Sequence, residues 1–132
     1  MATRRASCSC EQLRLIAEGE PVRVSICNCL ACQRRTGSVF GVQARFDTAK
    51  IQTEGRYSEY VRISDEGEAR HFYFCPDCGG TVFYESPSMP EMIAVPVGVF
   101  ADPDFPRPIR SIYETRKHSG VQMPDDIQHE TT

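Results

Sequence analysis

The sequence predicts a mainly β domain of short antiparallel strands with little helix. Three observations predict it. Alternating or β-branched apolar runs recur from Gln12 to Glu114, the period-2 pattern of half-buried strands. Gly-, Pro- and Asp-bearing turns punctuate them, such as Glu18-Gly19-Glu20-Pro21 and Ser64-Asp65-Glu66-Gly67-Glu68. Seven cysteines fall into three spaced groups that can staple such strands together. A chain of 132 residues suits one domain over 1–132, with a core over about 7–117 and a polar, loosely held C-terminal tail.

The elements follow in order. Ser7-Cys8-Ser9-Cys10 holds the first thiol pair, and Gln12 to Ala17 alternates as a strand. Val22 to Ile26 is a second strand, expected to pair with the first as a hairpin and to run into Cys27. Leu30 to Thr36 is long enough for one or two helical turns, with Gly37 as a left-handed cap. Ser38 to Phe46 resumes strand, where Gly41 signals a bulge or a close backbone approach. Ile51-Gln52-Thr53, Tyr57 to Ile63 and Ala69 to Phe74 are further strands, the last delivering Cys75. Thr81 to Tyr84 leaves the Cys75–Gly80 turn as another strand. Met92 to Phe100 is strand-like, with Pro96 marking an edge or a break. Ile109 to Glu114 is the final strand.

Composition narrows the function. The formal charge is −3, so a general nucleic-acid binder, which should be basic, is not expected. No apolar run approaches the ~18 residues that span a bilayer, and no apolar signal follows Met1-Ala2-Thr3-Arg4-Arg5. A cytoplasmic location is therefore expected, where thiols stay reduced and clustered cysteines point to metal. Only Lys50 and Lys117 are lysines. The remaining cations are arginines, which suit bidentate carboxylate or phosphate capture.

Cys75-Pro76-Asp77-Cys78-Gly79-Gly80 is a zinc-knuckle pattern. Pro76 starts the turn, and the glycines let the chain return with backbone N–H groups facing the sulfurs. A redox CxxC would open a helix, whereas this one lies between strands. A knuckle gives two ligands and structural zinc prefers four. Joining it to Cys29 and Cys32 would make a zinc ribbon, but the spacer far exceeds the ~15–20 residues usual there. The economical partition is Cys8, Cys10, Cys75 and Cys78 as a closed site. Cys27, Cys29 and Cys32 then form a three-ligand claw with an open position, the pattern of a catalytic zinc. Three thiolates favour another soft donor in that position, namely a substrate thiol, which coordination would deprotonate. The competing reading closes the claw with His71, His118 or a neighbouring group.

These spacings resemble a known family. Cys8-Ser9-Cys10, the run Cys27-Asn28-Cys29-Leu30-Ala31-Cys32-Gln33-Arg34-Arg35-Thr36-Gly37, and Phe74-Cys75-Pro76-Asp77-Cys78-Gly79 are similar to the glutathione-dependent formaldehyde-activating enzymes, also called the GFA or CENP-V domain family. The similarity extends through Gly55-Arg56-Tyr57-Ser58-Glu59-Tyr60 and Met123-Pro124-Asp125-Asp126-Ile127. It implies a β-tent fold, a four-cysteine structural zinc and a three-cysteine zinc responsible for activity. It also implies a carbon–sulfur lyase joining formaldehyde to glutathione as S-hydroxymethylglutathione. Asn28 stands where many members carry His, and no Trp stands in the C-terminal segment, where many carry an aromatic.

Arg34 and Arg35 follow the claw and are candidates for binding the carboxylates of a glutathione-like co-substrate. Thr36 and Ser38 are candidate thiolate or cap hydrogen-bonders. His71 is expected half-buried on its strand. Phe40, Phe46, Phe72, Phe74, Phe83 and Phe100 are expected in the core, with Tyr57, Tyr60, Tyr73 and Tyr84 half-exposed. The leading function is thus a two-zinc enzyme acting on a small thiol and an aldehyde, with no nucleic-acid or membrane partner. Exposed edge strands leave room for a homodimer. The alternatives are a non-catalytic zinc-binding β-tent interaction module, or a sensor using oxidisable claw thiols.

Overall fold

Two β-sheets share one apolar core in the computed structural model, which describes residues 2–132. The strands are β1 (Thr3–Ser7), β2 (Arg14–Glu18), β3 (Arg23–Cys27), β4 (Gly41–Asp47), β5 (Ile51–Glu54) and β6 (Ser58–Ile63). They continue as β7 (Ala69–Phe74), β8 (Thr81–Glu85), β9 (Met92–Pro96), β10 (Arg110–Ile112) and β11 (Gln128–His129). The α-helix, α1, spans Leu30–Thr36. The small sheet has the order β1-β2-β5, and the large one β11-β10-β3-β4-β9-β8-β7-β6. The mainly β class read from the sequence holds.

The core follows from strand alternation. Ala6, Leu15 and Ala17 of the small sheet meet Val24, Ala44, Phe46, Val82, Phe83, Ile93 and Val95 of the large one. Phe100 and Phe105 close the pile, their rings stacked 4.6 Å apart. Burying a phenylalanine or leucine side chain here contributes roughly 1.5–3 kcal/mol. The opposite face of the large sheet is different in kind. Cross-strand partners lie on one face, and the registers set Arg23, Arg45, Ala94, Tyr84, Phe72 and Tyr60 in one row across six strands. Cys27 shares this face, two alternations along β3 from Arg23. Arg35 of helix α1 lies over the middle of the row, its guanidinium 5.0 Å from the Tyr84 ring centroid.

Several expectations are corrected. β2 and β3 do not form a hairpin: β2 pairs with β1 and β5, whereas β3 pairs with β4 and, in parallel, with β10. The turn does form, with Gly19 at φ 81, but it carries the chain from one sheet to the other. The segment after Lys117 is held rather than loose, since β11 pairs with β10 and Arg107 makes a bidentate pair with Asp126. β9 does break at Pro96, as that proline signalled, and Val97–Phe100 is a 3-10 turn rather than strand. Gly41 is no bulge; it pairs in register with Cys27, and a Cβ there would stand 3.4 Å from Arg35 Nη2 and 3.5 Å from Cys32 Cβ. Tyr84 is buried, not half-exposed, because it lies under α1.

Candidate metal centres and the adjoining pocket

The four-cysteine group forms where the loop after β1 meets the β7–β8 turn. Each of Cys8, Cys10, Cys75 and Cys78 offers a sulfur within 4.8 Å of the others. Glu11, at φ 66, turns the first loop back so that the Cys8 amide donates to the Leu13 carbonyl. Gly79, at φ 79, does the same for the second, its N–H reaching the Cys75 carbonyl at 2.8 Å. Donors then converge on sulfur. Leu13 N–H donates to Cys8 Sγ at 3.3 Å, Asp77 N–H to Cys75 Sγ at 3.3 Å, and Gln12 Nε2 to Cys75 Sγ at 3.0 Å. Burial pushes the Cys75 thiol up, but the Gln12 amide and the Cys78 and Asp77 N–H groups outweigh it and hold it at about 6. Four soft donors, with hydrogen bonds offsetting their charge, are the donor set a tetrahedral zinc takes.

Gln12 also ties this group to the next turn. Its Nε2 donates to the Arg56 carbonyl at 2.7 Å, and its Oε1 accepts from the Arg56 N–H at 3.0 Å. Arg56 in turn pairs with Asp77 inside the knuckle. Sequence reading missed Gln12, because a lone polar residue at the start of a strand carries no spacing signal.

The claw is built by the end of β3 and the start of α1. The sulfurs of Cys27, Cys29 and Cys32 lie within 4.8 Å of one another, and among the described residues no histidine or carboxylate joins them. Cys29 is the helix N-cap: its sulfur accepts the Cys32 N–H at 3.3 Å. Gly37, at φ 75, caps the other end as expected. Hydrogen bonds from Cys27 and Cys32 hold the Cys29 thiol down at about 2, while the same bonding, aided by burial, pushes the Cys27 thiol up. The set fits a thiophilic metal that leaves one position open.

Asn28 is the residue that fixes the claw. It is fully buried, and its Nδ2 donates to Ser111 Oγ and to the Ile112 carbonyl, both at 2.9 Å. Its position in the thiol run showed in the sequence, but its partners on β10 did not. Neither histidine proposed as a fourth ligand serves. His71 pairs with Glu59 at 3.0 Å, and His118 Nε2 meets Gln33 Oε1 at 2.9 Å. Thr36 Oγ1 donates to the Cys32 carbonyl, and Ser38 N–H donates to Thr36 Oγ1; both act as caps.

Beside the claw lies a cavity of about 390 Å³, lined by Ala31, Arg34 and Arg35 of α1 and by Tyr60, Arg62, Phe72 and Phe74 of β6 and β7. Ala31, Arg34 and Arg35 share one helix face by their three- and four-residue spacing. Among the described residues, none of the three arginines makes an ion pair. Arg35 Nε and Nη2 are buried without a hydrogen-bond partner. The Arg62 guanidinium stacks 5.0 Å from the Phe72 centroid, and after the thiol contacts its charge helps lower Cys29. Arg34 and Arg35 were legible from their place after the claw. Arg62 was not, because only the β6–β7 pairing brings it there.

A mainly β scaffold bearing a four-cysteine and a three-cysteine cluster places the protein in the class of mainly β proteins with two cysteine groups suited to metal binding. Within that class, residues 3–116 match the family described as glutathione-dependent formaldehyde-activating enzyme, and the chain belongs to that family. Its fold is similar to that of a Rhodobacter sphaeroides protein known from a crystal structure. The two are 20% identical, with a TM-score of 0.58 over 72% of this chain and 85% of the other. No curated protein matches the chain.

Proposed function

We propose that this protein carries zinc in both cysteine groups and is a carbon–sulfur lyase acting on a small carboxylate-bearing thiol of the glutathione kind and an aldehyde such as formaldehyde. The observation that supports it is a three-sulfur cluster that, among the described residues, has no fourth protein ligand and lies beside a cavity whose three arginines make no ion pair there. Zinc bound at the claw would supply a soft fourth position that deprotonates the thiol. Cys27, Cys29 and Cys32 would hold it, and Cys8, Cys10, Cys75 and Cys78 would hold the structural ion. In the forward direction the substrate's S–H adds across the aldehyde C=O. A C–S bond forms, the π pair moves to oxygen, and oxygen takes the proton. Arg34, Arg35 and Arg62 hold the carboxylates and so fix the sulfur's approach. Phe72 and Phe74 give the cavity an apolar wall.

Zinc content and thiol titration test this together. The wild type is expected to hold two zincs per chain. Cys32→Ser is expected to fold and lose one of them, and Cys78→Ser to fail to fold. Glutathione is expected to bind the zinc-loaded protein more tightly than 2-mercaptoethanol, which has no carboxylate. Equal behaviour of the two variants refutes the partition, and absence of binding by any small thiol refutes the enzyme reading.

A further inference from the structure

At the far end of the same sheet face is a second cavity, of about 200 Å³, lined by Val22, Arg23, Arg45, Met89, Met92 and Ile109. Arg23 and Arg45 are direct cross-strand partners of β3 and β4. Like charges placed opposite one another on a sheet repel, and evolution ordinarily separates or neutralises them. Here neither is neutralised: among the described residues, neither arginine forms an ion pair. Asp47 occupies the same face of β4, two residues on, yet pairs with neither. Arg23 Nε is buried without a partner, and burial, with Arg23 among the lesser causes, lowers the Arg45 guanidinium from its ordinary value. An uncompensated, partly desolvated pair of guanidiniums is costly unless an anion completes it.

The rim gives the second half of the ligand's chemistry. Val22 and Ile109 are 57% and 55% exposed, among the most exposed large apolar side chains of the protein. Met89 and Met92 add flexible, polarisable wall. We propose that this cavity is a second ligand site, for a small amphipathic anion whose carboxylate or phosphate head is held by Arg23 and Arg45 and whose short apolar tail lies along Val22, Ile109 and the two methionines. The site is separate from the thiol cavity. Arg45 and Phe72 are three strands apart, about 14 Å at 4.7–4.9 Å per strand. Arg23 stands four residues, or about 13 Å, along β3 from Cys27. It therefore needs neither zinc nor thiol to form.

The test uses the zinc-loaded full chain titrated with hexanoate, hexyl phosphate, hexanol and hexylammonium. Binding is followed through the arginine Nε–H and methionine methyl resonances. Hexanoate or hexyl phosphate is expected to shift Arg23, Arg45, Met89 and Met92 together, the tighter of the two identifying the head group. Arg23→Gln is expected to weaken that binding about tenfold or more, the loss of a charge-assisted pair. Without ligand, the same variant is expected to melt higher than the wild type, because it relieves the repulsion with Arg45. Arg23→Met, which keeps the apolar stem, should behave alike. Equal shifts with hexanol or hexylammonium, unchanged affinity in both variants, or a lowered melting temperature in both would overturn the site.

Discussion

Replacing Gly55 with alanine tests how the four-cysteine group is supported from outside its own ligands. Gly55 sits at φ 106, a conformation glycine adopts freely and alanine does not. A Cβ there would overlap the Gln12 carbonyl oxygen and stand 3.0 Å from Leu13 Cα. Both obstacles are backbone, so neither can rotate away. The strained dihedral alone costs about 1–3 kcal/mol. Displacing Gln12 also breaks its two hydrogen bonds to the Arg56 backbone, worth about 1 kcal/mol each. The expected loss is therefore about 3–5 kcal/mol, a large share of a small protein's stability. Because Gln12 Nε2 also donates to Cys75 Sγ, the variant should release zinc to a chelator faster than the wild type. Urea denaturation of the zinc-loaded protein gives the first quantity and chelator competition the second. Gln12→Ala should reproduce the faster release with a smaller stability loss. A Gly55→Ala cost below about 0.5 kcal/mol, within the range of neutral surface changes, would refute the reasoning. So would full stability loss with unchanged zinc release.

Other outcomes follow from the same geometry. Asn28→Asp should cost roughly 2–5 kcal/mol and more than Asn28→Ala, because a buried carboxylate would face the Ile112 carbonyl where an N–H donated; thermal melting of both variants checks the order. Arg35→Met keeps the stacked stem but removes the charge, so KM for glutathione should rise about tenfold while that for 2-mercaptoethanol stays put; parallel changes would refute carboxylate capture. The His129–Glu114 pair should give the C-terminal return a pH window. Hydrogen bonding to Glu114 raises His129, so its contribution is full below 6.5 and is lost as pH rises through the raised value. Burial opposes the shift at Glu114, but its bonds to Ser111 and His129 lower it, so its contribution is full above 4.5 and is lost as pH falls through the lowered value. Hydrogen exchange of the Glu130 amide, corrected for intrinsic rate, should show greatest protection between those limits; flat protection would refute the coupling.

What the sequence revealed was local. Three thiols within six residues, a Pro-started knuckle and a short helix stopped by Gly37 each owe their geometry to neighbours in the chain, and each is found where read. Even the grouping of Cys8 and Cys10 with Cys75 and Cys78 was reachable, because ligand count restricts the choices. Strand partnership was not. Nothing in the alternation of Val22 to Ile26 says that its neighbours are β4 and β10 rather than β2, since both arrangements bury the same residues on one face. Arg62 and Arg45 take their chemical meaning from those non-local pairings, so they stayed ordinary polar residues until the sheet was assembled; Asn28 stood out within the thiol run, but its partners on β10 did not.

The parallel pairing of β3 with β10 also has a bearing on order. Asn28 finds its partners 83 and 84 residues further along the chain, at Ser111 and Ile112. The four-cysteine group needs nothing beyond Cys78 and its turn to Gly80. As the chain leaves the ribosome, the closed cluster therefore has all its ligands while the strand that buttresses the claw is still unmade. The four-cysteine group can assemble early; the three-cysteine group acquires its final shape only once the molecule around it is nearly whole. In that order the three-cysteine group is not completed on an unfinished polypeptide.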